Sequence, residues 1–189
     1  FQLFSSAIYS PPLQIKLSSV SMDQMFRKIL ANSFLLRVGH VGRRTGVNRI
    51  VEVTYCVTDD RKIILSGYPG PRDWVANMSQ NPEVMIYTVE GEYWYRTKGK
   101  SRLVSNKEQR NRYIIQYINR WNNLPGNKRL LISFTLNVVH LREKLHLPWW
   151  GPFYLVQKIF EKMPCIEITL VEEPQQSHLP PPPPSPLRK

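Results

Sequence analysis

Three arginines crowd one short turn. In VGHVGRRTGVNRIVEVTY, residues 38–55, two apolar, β-branched runs flank Gly42-Arg43-Arg44-Thr45-Gly46, and Arg49 stands on the returning run. A guanidinium presents a planar fork of donors that fits a phosphate two bonds at a time, and glycine lets a ligand approach the backbone. A second cluster lies in SGYPGPRDWVANMSQNP, residues 66–82. There a short strand ends at Ser66-Gly67, Tyr68-Pro69-Gly70-Pro71 forms a constrained loop, and Arg72 precedes a helix opening at Asp73. A helix N-terminus beside an arginine is suited to an anion. Trp74 and Asn77 are three apart and share one helical face. Trp74 could cover an aromatic ring system. Each residue also has a plain structural use: a solvated basic turn, a tryptophan in the core, an asparagine tying down the next strand.

Other chemistries lack their residues. There is no Gly-x-Ser-x-Gly, no His-Glu-x-x-His, no P-loop lysine motif, and no close carboxylate pair in an apolar setting. Gly39-x-x-Gly42 opens no helix and so is not a dinucleotide fingerprint. An enzyme built this way would leave the difficult chemistry to a cofactor. Cys56 and Cys165 are far apart, and His40, His140, His146 and His178 have no ligand spacing, so no metal site is expected. Two buried free thiols in a reducing, cytoplasmic compartment are the simplest account of the cysteines.

The 26 Lys+Arg against 14 Asp+Glu give a net charge of +12. Such a field favours an anionic partner: nucleic acid, an acidic membrane surface or a phosphorylated ligand. No apolar run reaches the ~18 residues that would span a bilayer.

These residues must be positioned by a single domain, as 189 residues allow. Residues 1–21 are read as extraneous or disordered, residues 22–172 as the domain, and the proline-rich 173–189 as a disordered tail. An SH3-type ligand is a second reading of that tail. Met22, Met25, Phe26, Ile29 and Ser33, with Leu30 beside them, are spaced as one helical face, which would pack on the domain or contact a membrane surface. Alternation predicts strands over 35–41, 48–57, 61–66, 83–90 and 92–104, joined as one curved antiparallel sheet. A short helix from Asp73 stops before Pro82. Helices follow over 106–121, 127–144 and 150–163, and CIEITLVE closes as a last strand. The plan is α+β, built on a small antiparallel barrel.

The ordered pair of motifs, GRRTGVNR and then SG…GPRDWVANMSQNPEVMI, resembles the deazaflavin-dependent nitroreductase family. The likeness covers residues 22–120 and is strongest over 39–90. It implies a split antiparallel β-barrel, similar to those of flavin reductases and pyridoxamine oxidases, with flanking helices. It also implies binding of coenzyme F-420, a deazaflavin with a phosphate and a polyglutamate tail. By that likeness Arg43, Arg44 and Arg49, with Thr45 and Gly46, hold the phosphate. Ser66, Gly67, Tyr68, Pro71, Arg72 and Asp73 follow the linker and ring edge, and Trp74 and Asn77 stand behind them. Two departures are visible: the arginine-bearing loop lacks a residue common there, and VNRIVEV lacks the proline many relatives carry. Tyr113, Tyr117, Trp121, Trp149 and Trp150 are candidates by type for a substrate pocket.

The implied activity is oxidoreductase chemistry, hydride transfer between F-420 and a small organic acceptor. The deazaflavin carries the hydride at carbon, so the chain need supply no nucleophile, and no catalytic side chain can be assigned. FMN is the alternative cofactor, and a tetrapyrrole or lipid carrier is a non-catalytic rival. A nucleic-acid binder is a third reading, because residues 92–129 hold ten Lys/Arg among Tyr93, Trp94 and Tyr95. Expected partners are a small-molecule substrate, a membrane surface met through the N-terminal helix, and a second copy of the chain.

Overall fold

The computed structural model describes residues 24–123, 137, 139–142, 144–148 and 150–186. The segment 1–21, residue Trp149 and much of the helix expected over 127–144 lie outside the described residues.

Seven strands form one antiparallel sheet: β1 (Leu35–Val41), β2 (Asn48–Val57), β3 (Ile63–Leu65), β4 (Glu83–Thr88), β5 (Trp94–Leu103), β6 (Ile166–Leu170) and β7 (Gln175–Ser177). Their order is β4-β1-β2-β3-β6-β5-β7, and a further β4–β5 pairing closes the first six strands into a barrel. The alternation that predicted the strands also sets their faces. Leu36 and Val38 of β1, Val53 and Tyr55 of β2, Ile63 and Leu65 of β3, Val84 and Ile86 of β4, and Ile166 and Ile168 of β6 fill the interior. Burying a large aliphatic side chain contributes ~1.5–3 kcal/mol, so a one-residue slip, which would turn all of these outward, is strongly disfavoured.

Helices complete the core. α1 spans residues 24–32, and its Phe26, Ile29 and Leu30 are buried among the barrel side chains. Met25, on the same helical spacing, is exposed. Arg120, in the last turn of α3 (Lys107–Asn122), donates to the carbonyls of Leu30 and Ser33 at 2.6 and 2.5 Å. That satisfies carbonyl groups at the end of α1. α2 (Asp73–Gln80) follows β3 and sets Met78 into the barrel core. α3 and α4 (Pro152–Lys162) cover the outer face of β2 and β3, where Cys56, Ile64, Tyr113, Ile114, Tyr117, Phe160 and Cys165 form a second buried cluster. Both cysteines are free and buried.

β5 has ten residues and spans more of the barrel than its neighbours. Gly99 sits where it passes between β4 and β6. A methyl there would lie 2.6 Å from Ile168 Cγ2 and 3.1 Å from Ile86 Cδ1. Overpacking of this kind costs ~1–3 kcal/mol. Gly99→Ala is therefore expected to lower the urea midpoint by that amount with an unchanged slope; a midpoint equal to the parent's would show that the barrel absorbs the methyl.

The tail differs from expectation. β7 pairs with β5 over Trp94–Arg96, and Arg37 Nη1 donates to Pro181 O and Pro182 O at 3.0 and 3.2 Å. A polyproline stretch can dock this way because its conformation needs no internal hydrogen bonds and leaves its carbonyls free.

Candidate cofactor-binding site

The β1–β2 hairpin positions the first cluster. Gly42 N donates to Val47 O at 2.9 Å and Gly46 N to Gly42 O at 2.9 Å. Gly46 has φ +65°, a conformation other residues adopt at a cost. A Cβ on Gly42 would meet Thr45 Oγ1 at 2.9 Å and Val47 O at 3.3 Å, so any larger residue there would have to turn Thr45 aside.

The three turn arginines divide. Arg43 reaches across to α2: its backbone N–H donates to Asn77 Oδ1 at 3.1 Å and its Nη1 to the same oxygen at 2.9 Å. Its guanidinium also pairs with Asp73 Oδ1 at 3.2 Å. Arg43 thus pins the hairpin tip to the first turn of α2. Arg44 is exposed and Arg49 half-buried, and among the described residues neither forms an ion pair with a carboxylate. Two cations that line one cavity, with no carboxylate partner among the described residues, favour an anion there.

α2 brings the second cluster to the same place. Arg72 occupies the N-cap position with an extended backbone and no side-chain cap, and Asp73 lies in the first turn. Asn77 is buried; beyond Arg43 it lies 3.5 Å from His40 Nδ1. Burial, the largest influence, holds the His40 pKa below its usual range, and the neighbouring Arg49 charge acts in the same direction. His40 therefore stays neutral near pH 7 and adds no positive charge.

A cavity of about 360 Å³ joins the two clusters. It is lined by Arg43, Arg44, Thr45, Arg49, Pro71, Arg72, Asp73, Trp74 and Asn77 among the residues singled out in the sequence. Trp74 is half-buried and packs on the barrel core. Gly46 shapes the turn without lining the cavity. Ser66, Gly67 and Tyr68 also lie outside the cavity lining. Ser66 Oγ is buried and donates to Pro164 O at 2.7 Å, tying the end of β3 to the start of β6. Tyr68 is exposed and stands edge-on to Trp121, ring centres 5.8 Å apart.

The sequence reading missed His40, Ile50, Val51, Ser185 and Pro186, which also line the cavity. Of these only His40 carried a signal, as a polar residue at an inward position of an alternating strand. Of the aromatics considered for a substrate pocket, Tyr113 and Tyr117 are buried in the outer cluster and Trp150 is exposed. Tyr113 donates to Glu167 at 2.8 Å, and Arg102 binds the same carboxylate at 3.0 and 3.1 Å. Among the described residues no group of three or more His, Cys, Asp or Glu could hold a metal ion, and no helix is long and apolar enough to cross a membrane.

No protein-family model matches this chain, and no curated protein matches it. Its fold is nonetheless similar to solved structures. One is an FMN-binding protein from Syntrophomonas wolfei subsp. wolfei, at 13% identity and TM-score 0.54, covering 88% of this chain and 92% of that one. Another is a proposed 5-nitroimidazole antibiotic resistance protein from Bacteroides thetaiotaomicron, at 10% identity and TM-score 0.54, covering 81% and 82%. A third is the FAD and heme binding protein from Mycobacterium smegmatis, at 11% identity and TM-score 0.52, covering 85% and 73%. The chain has the split antiparallel β-barrel fold, with flanking helices, as the sequence led us to expect.

Proposed function

We propose that this chain binds coenzyme F-420 across the β1–β2 hairpin and acts as an oxidoreductase of the nitroreductase kind, passing a hydride between the deazaflavin and a small organic acceptor. The observation that carries the reading is the pair Arg44 and Arg49. Among the described residues they have no carboxylate partner, and they line one cavity with the start of α2, on a barrel similar to that of flavin-binding proteins. Arg44, Arg49 and Arg72 would hold the phosphate, Arg43 would keep the hairpin in place for it, and Trp74 would back the ring. The bound deazaflavin supplies the hydride-carrying carbon; the chain supplies binding and orientation.

The basic segment 92–129 gives less support to nucleic acid. Lys98 pairs with Glu172, Arg102 with Glu167 and Lys107 with Glu161, while Arg110 and Arg120 are committed to backbone carbonyls. FMN is the second reading, because its phosphate suits the same arginines and a similar barrel binds FMN.

Fluorescence titration of the purified protein tests this. F-420 is expected to bind saturably, with affinity falling as salt rises, since exposed charges are screened within ~10 Å at 0.1 M. Saturation by FMN at lower concentration than by F-420 would move the reading to the flavin, and binding of neither would overturn it.

A further inference from the structure

The chain's own tail lies against this site. After β7, Pro181 and Pro182 accept from Arg37, Ser185 N donates to Ile50 O at 2.8 Å, and Ile50 N donates to Ser185 Oγ at 2.8 Å. Ser185 and Pro186 then form part of the wall shared with Arg43, Arg44 and Arg49. The reason is a gap in the barrel. β3 pairs with β2 only over Tyr55–Val57, so among the described residues the Ile50 end of β2 has no barrel strand on the side away from β1. Its backbone groups need partners, and the tail provides them.

We propose that residues 180–186 are a displaceable strap, seated on the Ile50 edge of β2, which an anionic cofactor must push aside to occupy the arginine site. This rests on the cofactor-site reading above. Two observations carry it. With the strap seated the cavity is about 360 Å³, at the small end of the ~300–1,000 Å³ typical of ligand sites. A ring system with a phosphate and a polyglutamate tail needs more room, and the strap, through Ser185 and Pro186, takes up the wall beside Ile50 and Val51. The strap is also lightly held. None of residues 180–186 is buried, and since the other six are prolines, which have no N–H, Ser185 carries the one backbone N–H of the stretch, donated to Ile50 O. Segments with few buried contacts open at low cost. On this proposal strap and ligand compete for one edge, and each lowers the other's apparent affinity by the same factor.

Ser185→Pro in the full chain removes both bonds to Ile50 and keeps the tail. Titrations with F-420 and with inorganic pyrophosphate are compared between parent and variant, and amide exchange at Ser185 is followed in the parent. S185P is expected to bind F-420 tighter by on the order of tenfold, the scale of two neutral hydrogen bonds. Adding F-420 to the parent should speed exchange of the Ser185 amide. If F-420 binds neither protein but pyrophosphate binds S185P more tightly than the parent, the strap stands and the deazaflavin reading falls. Equal or weaker binding by S185P, a Ser185 amide no faster with bound ligand, or no binding of either probe overturns the strap.

Discussion

Arg49→Ala and Arg44→Ala are each expected to weaken F-420 binding by about tenfold to a hundredfold while leaving the thermal midpoint nearly unchanged. A hydrogen bond to a charged group contributes ~1.5–3 kcal/mol, and each ~1.4 kcal/mol is tenfold in affinity. The stability side follows from the surroundings. Arg44 is exposed, Arg49 is half-buried, and among the described residues neither holds a carboxylate. Arg43→Ala should behave differently. Its guanidinium ties the hairpin to Asp73 and Asn77, so its loss should lower stability by ~1 kcal/mol. The loss stays modest because the backbone N–H of residue 43 still donates to Asn77 Oδ1. Binding and melting curves measured on the three variants separate these roles. If Arg44→Ala and Arg49→Ala titrate like the parent, the phosphate lies elsewhere and the likeness to the family fails at the level of residues.

That division among neighbouring arginines marks how far the sequence could be read. β1 and β2 fall on the predicted bounds, since their apolar runs end at the turn glycines and at Asp59-Asp60, and a one-residue slip would turn the buried side chains to the other face. β7 escaped notice because Gln175, Gln176 and Ser177 have no apolar alternation; they pair only because β5 has an edge free at Trp94–Arg96. Spacing showed that arginines cluster at the turn. It could not show which of them faces α2, since the partners Asp73 and Asn77 are 30 and 34 residues away. The same limit moved Ser66 out of the site: its hydroxyl is taken by Pro164, 98 residues on. The proline-rich tail reads as unpacked because a packed core needs apolar side chains. Its docking uses carbonyls and one serine instead, a mode that composition does not register.

Alkaline unfolding is the second large effect. Burial pushes the thiols of Cys56 and Cys165 from about 9 up to about 12, and the Tyr55 hydroxyl from 10 up to about 12. All three are neutral when protonated, and the folded chain keeps them so. Tyr55 shares its hydroxyl with Ser33 Oγ and Leu30 O at 2.7 and 2.8 Å, under the guanidinium of Arg120. Their folded pKa values exceed the unfolded ones. The associated stability is therefore fully present below about pH 9 and is lost as pH rises toward 12, because there the unfolded chain gives up protons that the folded chain retains. A pKa difference of one corresponds to ~1.4 kcal/mol. With three groups the loss by pH ~11 amounts to several kcal/mol, a large share of the ~5–15 kcal/mol of a typical domain. The urea midpoint should hold level from pH 7 to about 8.5 and then fall steeply. The Cys56→Ala, Cys165→Ala double variant should start lower, since it leaves cavities, and fall less steeply, since only Tyr55 of the three still resists ionisation. The thiols should also be unreactive toward a disulfide reagent at pH 8 until urea unfolds the chain, because the thiolate is the nucleophile. A midpoint that stays flat to pH 11, or thiols that react at once in the native protein, would mean that water reaches the barrel interior at Tyr55 and the outer cluster at Cys56 and Cys165.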